Sequence, residues 1–211
     1  MYLVEGLGVT LLVTLFAALI GIALGFIVAI IRSTYDKTGK LKFLNVICNI
    51  YLTVVRGTPA MVQLLIMYYV IFASSNMDKV VVAILSFGIN SGAYVAEIVR
   101  SGIMSIDGGQ LEAGRSLGFS YARTMWYIIM PQAFKNILPA LANEFIVLLK
   151  ETSICGYIGL MDLTRGGDII RSRTYEAFMP LIAVALIYLA LVMVMSHFVK
   201  LLERRLRSSE R

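Results

Sequence analysis

Between Glu5 and Arg32 the chain runs through 26 residues, 6–31, without a charged side chain. A helix needs about 20 apolar residues to cross a hydrocarbon core roughly 30 Å thick. A soluble helix would alternate an apolar stripe with a polar face at the 3.6-residue period, and no such face exists here. The rest of the chain agrees. Charged residues make up 15% and hydrophobic residues 59%, against roughly 25% charged in soluble domains, and the mean hydropathy is +0.82. An ordinary cytosolic enzyme, a disordered tail and a disulfide-stapled secreted module are poor fits. The window also reads as a retained span. It exceeds the roughly 7–15 residues of a signal-peptide apolar region, and Glu5 stands where that signal needs basic residues. Gly21 and Gly25 form a GxxxG pair, the spacing that lets a second helix approach closely.

Four further segments extend this reading. Residues 57–77 and 80–96 are uncharged, as are 43–55 and 177–199. A weaker segment, 133–149, is interrupted by Lys135 and Glu144. The expectation is an all-α integral membrane protein with five crossings, near 6–31, 57–77, 80–96, 133–149 and 177–199, in one domain over 1–211. Orientation follows the distribution of Lys and Arg in short loops. Arg32, Lys37, Lys40 and Lys42 follow the first crossing; Arg100, Arg115, Arg123 and Lys135 separate the third from the fourth; Lys200, Arg204, Arg205, Arg207 and Arg211 end the chain. The opposite side holds Lys79, Lys150, Arg165, Arg171 and Arg173. This places the N-terminus outside and the C-terminus in the cytoplasm. The net charge of +6 then follows from membrane topology and requires no nucleic-acid partner. Cys48 and Cys155 lie far apart without metal-like spacing, and His197 has no Cys or His companion, so packed thiols are expected and a metal site is not.

Residues 105–132 are too polar to cross. Asp107 and Gly108 are start signals for a short helix over 110–117, and Gly118 is its stop. A second short helix, 120–129, would be capped by Ser120 and ended by Pro131. Two such helices make a knob able to pass force between a soluble partner and the membrane helices. The motif Glu112-Ala113-Gly114, then Gly118 after three residues, then Ile128-Ile129-Met130-Pro131 after nine, resembles the EAA loop of ABC importer permeases. Gly114 for alanine and Met130 for leucine are the departures, the first expected to loosen the helix. Arg56-Gly57-Thr58-Pro59 with Val62-Gln63-Leu64, the run 92–103 (GAYVAEIVRSGI) and Lys150-Glu151-Thr152-Ser153 are similar to stretches of the polar amino-acid uptake branch.

The resemblance implies a type I importer permease in a bacterial cytoplasmic (inner) membrane. In that family the loop docks on an ABC ATPase subunit, which assigns Glu112, Ala113, Gly114, Ser116 and Gly118 to coupling. It further implies a second permease copy, identical or sister, and an extracellular or periplasmic binding protein that delivers an amino acid. The chain has no G-x-x-x-x-G-K-[ST] loop, so no ATPase site of its own is expected. ATP and magnesium would belong to the partner subunit, and no cofactor to this chain.

Ionisable or polar groups deep in membrane helices point to function, because burying them costs free energy. Counted from the helix ends, Glu144 and Asn90 each lie about 16 Å along their crossings, near the midplane. Tyr94 and Glu97 follow Asn90 at i+4 and i+7. These four are the substrate-contact candidates. Glu97, nearer the cytoplasmic end, also reads as an ion-pair partner of Arg100 or a gate contact. Glu144 could attract a basic side chain or an α-amino group, or be neutralised by Arg56 or Lys150 of the same or a facing chain. Arg56 would be buried and paired if a helix begins at Phe43, or at the membrane edge if 43–55 is interfacial. Met61, Met67, Met77, Tyr68 and Tyr69 read as lipid or packing residues. The alternative function is an ion-coupled secondary transporter or channel subunit. It would call for inverted repeats or a self-sufficient coupling-ion site, and neither is seen. A membrane-embedded enzyme would need clustered catalytic residues, which are also absent from the sequence.

Overall fold

The computed structural model describes residues 1–208, with the side chains of 37, 38, 207 and 208 left aside. The tail residue Arg211 lies outside the described residues, as do the side chains of Lys37 and Arg207. The described chain is almost entirely helical. Its elements are α1 (Tyr2–Thr38), α2 (Lys42–Arg56), α3 (Ala60–Ile66) extended by a π-turn (Met67–Ile71), and α4 (Lys79–Met104). Then come α5 (Gly108–Ser116), α6 (Tyr121–Thr124) running through a π-turn (Met125–Ile129) into α7 (Met130–Glu151), a 3-10 segment (Thr152–Ile158), α8 (Leu163–Thr174) and α9 (Phe178–Ser208).

Helices α1 and α4 form the spine. A Cβ at Gly25 would lie 2.5 Å from Val95 Cγ1, and one at Gly21 would lie 2.9 Å from Ser91. On α4, Gly88 and Gly92 meet Ile20 and Leu24 in return. The GxxxG pair is therefore a packing seam, as its spacing suggests. Three apolar clusters line the bundle. One gathers Val13, Leu64, Phe87, Leu148 and Ile158 near α8; a second joins Val28, Leu52 and Ala93; the third joins Ala29, Val99, Ala133 and Ile137 near the α5–α6 knob. Both cysteines are free and buried.

Three helices are long and apolar enough to span a membrane: Tyr2–Asp36, Lys79–Met104 and Phe178–Leu206. The pair Lys42–Arg56 and Ala60–Ile71 makes a fourth if its 108° bend is counted within one span. The 57–77 crossing is thus not one straight helix. Pro59, with extended ψ of 137°, begins a new helix at Ala60, because its ring excludes a donor and disfavours a helical residue before it. Helix α2 buries Asn45, Cys48, Leu52 and Val55 on one face and exposes Phe43, Ile47, Ile50 and Val54 on another. Helix α7, with 22 residues, carries Lys135, Glu144, Lys150 and Glu151 and falls short of a span on composition.

The knob differs from expectation at one end. Asp107 caps α5 by accepting from Gly109 N at 2.9 Å. Its stop is at Gly118, φ +84°, where Phe119 N donates to Gly114 O and Gly118 N to Arg115 O, the paired bonds of a Schellman motif. Ser120 caps α6. The second helix does not end at Pro131, however. The π-turn shifts hydrogen bonding so that Met130 N reaches Met125 O. Pro131 then sits in the first turn of α7, where a missing N–H is tolerated.

Candidate functional site

A cleft of about 670 Å³ opens between α4 and α7 and is closed on one side by Arg56 at the end of α2. Helix periodicity builds its walls. Tyr94, Ile98, Ser101 and Ser105 recur at i, i+4, i+7 and i+11 on α4, and Asn136, Ala140 and Glu144 recur at i, i+4 and i+8 on α7. The two stripes are tied at both ends. Asn136 Nδ2 donates to Ser105 Oγ at 2.8 Å, and Ser91 Oγ donates to Glu144 Oε1 at 3.0 Å. From Asn136 to Glu144 the α7 wall extends about 12 Å, long enough for an amino acid.

Of the four substrate-contact candidates, Tyr94, Glu97 and Glu144 line the cleft. Asn90 does not. It is 2% exposed, and its Nδ2 donates to Gln63 Oε1 at 2.9 Å, while Gln63 Nε2 donates to Val55 O and Thr58 O across the α2–α3 break. Asn90 fastens the bend instead of facing the cleft. Glu97 is not paired with Arg100. Its Oε2 lies 3.4 Å from Arg56 Nη1 and 3.9 Å from Arg32 Nη1, whereas Arg100 faces Asp36 at 4.0 Å. The reason is direction: α1 and α2 present guanidiniums toward Glu97, while Arg100 turns to the end of α1. Arg56 also stands over the Tyr94 ring, 5.8 Å from its centroid, and its side chain is 43% exposed. Arg56 is therefore paired and only partly buried within this chain. Among the described residues no cation lies within ion-pair distance of Glu144. Within this chain neither Arg56 nor Lys150 pairs with it.

Ser91, Asn136 and Arg32 were missed in the sequence. The i, i+8 spacing of Asn136 and Glu144 on one face of α7 is a signal for Asn136. Nothing local joins Ser91 to Glu144, 53 residues away, or Arg32 to Glu97.

At the opposite site, on the knob, Glu112, Ala113, Ser116 and Gly118 are exposed and Gly114 is buried. A Cβ at Gly114 would lie 2.5 Å from Thr124 Cγ2. The glycine lets α5 and α6 close on each other. Leu117 at 77%, Trp126 at 69% and Tyr127 at 70% stand exposed on the same knob, large apolar side chains available to a contact surface.

Known proteins resemble the chain over nearly all of this frame. The arginine transport system permease protein ArtQ of Bacillus subtilis is 38% identical over 99% of this chain and 94% of its own. The glutamine transport system permease protein GlnP of Escherichia coli K12 is 35% identical over 92% of this chain and 90% of its own. A crystal structure of an amino acid ABC transporter with histidines superposes with a TM-score of 0.90 at 44% identity, covering 97% of this chain and 94% of that chain. The MetNI methionine ABC transporter, in inward-facing form, shares the fold at a TM-score of 0.78 and 19% identity, over 97% and 95% of the two chains. Residues 21–208 match the family described as binding-protein-dependent transport system inner membrane component. With its apolar spine, its cleft and its knob, the chain belongs to that family of ABC importer permeases.

Proposed function

We propose that this chain is the transmembrane subunit of an ATP-driven importer of amino acids, with basic amino acids as favoured cargo. The observation that carries the choice of cargo is Glu144: a half-buried carboxylate in the cleft, held by one hydroxyl and met by no cation among the described residues. A guanidinium or ammonium entering the cleft would supply the missing positive charge. Arg56 on the facing wall could meet the cargo carboxylate. The similarity to an arginine permease and to a transporter with histidines supports a basic cargo; the similarity to a glutamine permease favours a neutral polar one as the second reading.

In this reading α7 is the fourth crossing, and its face with Asn136 and Glu144 borders the cleft instead of lipid. The basic loops put the N-terminus outside and the C-terminus in the cytoplasm. The knob, 108–131, docks on the ATPase subunit through Glu112 and the exposed Leu117, Trp126 and Tyr127. A second permease copy flanks the pathway, and a binding protein delivers the cargo from outside.

Uptake competition among arginine, histidine, lysine, glutamine and glutamate in reconstituted vesicles tests the cargo. Glu144→Ala should lower uptake of the basic amino acids about tenfold or more, while glutamine uptake changes less; unchanged basic uptake returns Glu144 to a packing role. Glu112→Lys should leave the protein in the membrane and abolish copurification of the ATPase subunit. Intact association and uptake in that variant would refute the coupling role.

A further inference from the structure

Next to the cleft, and separate from Glu144, lies a polar pocket of about 410 Å³ between α1, α2 and α4. Its walls hold Arg32, Arg56 and Arg100 together with Asn49, Thr53 and a single carboxylate, Glu97. The arginine side chains are 18%, 43% and 31% exposed, so the charges are neither free in water nor sealed. Their partners are distant. Arg32 and Arg56 share Glu97 at 3.9 and 3.4 Å, and Arg100 reaches Asp36 at 4.0 Å. Charge-assisted guanidinium bonds run about 2.7–2.9 Å, and each guanidinium carries about five donors in a fixed fork. Three forks facing only Glu97 and Asp36, each at 3.4–4.0 Å, leave most of those donors without a close carboxylate among the described residues.

The surroundings say what kind of anion fits. On α2, Asn49, Thr53 and Arg56 line the pocket, while Phe43, Ile47, Ile50 and Val54, the adjoining row of the same helix, are exposed and apolar. A polar recess bordered by lipid-facing side chains matches the join between a headgroup and its acyl chains. Arg32 closes the charge-free window of α1, which sets the pocket at the depth where the hydrocarbon ends. Planar guanidinium forks match a phosphate better than a single ammonium does.

We propose that Arg32, Arg56 and Arg100 bind a phosphate group, supplied by an anionic phospholipid headgroup seated against α2. Its assignment to the cytoplasmic leaflet rests on the orientation given under the proposed function. A phosphate here competes with Glu97 for Arg56, so an occupied pocket frees the Glu97 carboxylate toward the cleft.

The test is retention of fluorescent phosphatidylglycerol by the assembled transporter, with its ATPase subunits, purified in a zwitterionic detergent. Wild type should retain the lipid, and Arg32→Gln and Arg100→Gln should each weaken retention about tenfold, whereas Lys200→Gln, the same charge change elsewhere, should not. Gel filtration with the ATPase subunits bound shows that the variants are folded; the more conservative Arg32→Lys should recover part of the loss. Equal retention by wild type and the folded arginine variants overturns the proposal. Inorganic phosphate at millimolar concentration should not displace the lipid; displacement would overturn the lipid source in favour of a soluble phosphate. Binding is read without reference to uptake or sidedness, so its failure leaves the Glu144 experiment standing, and a failed Glu144 experiment leaves this one standing.

Discussion

At Asp162 a single carboxylate works against its own burial. It is fully buried at the start of α8 and accepts from Thr164 N at 3.0 Å and Arg165 N at 3.3 Å. Burial pushes its carboxyl above the usual range, while those backbone donors pull the other way. A raised folded-state value means that the group favours folding at acid pH and loses that contribution as pH rises through the folded value. Asparagine caps a helix as well as aspartate does and carries no charge. Asp162→Asn should therefore melt at the same temperature or higher at neutral pH, with a weaker acid-side pH dependence. Asp162→Ala, which removes the cap, should lose about 1 kcal/mol. Thermal unfolding of the detergent-solubilised protein across pH 4 to 8 checks both; equal stability of the alanine variant would dismiss the cap. Half-buried Asp168 behaves oppositely. Hydrogen bonds from Arg171, at 2.6 and 2.9 Å, hold its carboxyl below the usual range, so its contribution stays constant near neutrality and is lost only in strong acid.

Among the helices, the close-packing face of α1 was legible from Gly21 and Gly25, because small residues at i and i+4 have a direct packing meaning, but that α4 fills it was not. Gly25→Leu should force α1 off Val95 and cost about 1–3 kcal/mol, whereas Gly8→Leu, with nothing within 4 Å, should cost little. Unfolding midpoints of the two variants measure the difference, and equal midpoints would contradict the seam. The bend between α2 and α3 was open in the sequence. Arg56-Gly57-Thr58-Pro59 marks a break, but its 108° angle is held by Gln63 and Asn90, which are 27 residues apart. Helix α5 was legible at both ends, since Asp107 and Gly118 are local signals. The end assigned at Pro131 failed because a proline also fits a first helical turn, and the π-turn ahead of it leaves no linear mark.

For the whole molecule, scarcity of charge located the chain in the bilayer, and the family motifs marked its knob. The cleft was partly legible: Tyr94, Glu97 and Glu144 lie together, but only depth along separate helices had suggested it. What depth could not supply was facing. Glu97 meets Arg56 across 41 positions of sequence, and Asn90 turns away from the cleft although it lies one residue from Ser91.

One feature of the α6–α7 run has a mechanical consequence. From Tyr121 to Glu151 the backbone is a single helical rod about 45 Å long, with the knob at one end and Glu144 about 30 Å from Thr124. Two compliant joints interrupt it, the π-turn at Met125–Ile129 and Pro139, which has no N–H to give to the preceding turn. A jointed rod carries a push along its axis but yields to a sideways one. On the proposed coupling role, a thrust at the knob would be carried along this axis toward Glu144, and a sway would be taken up at Pro139 before it arrived.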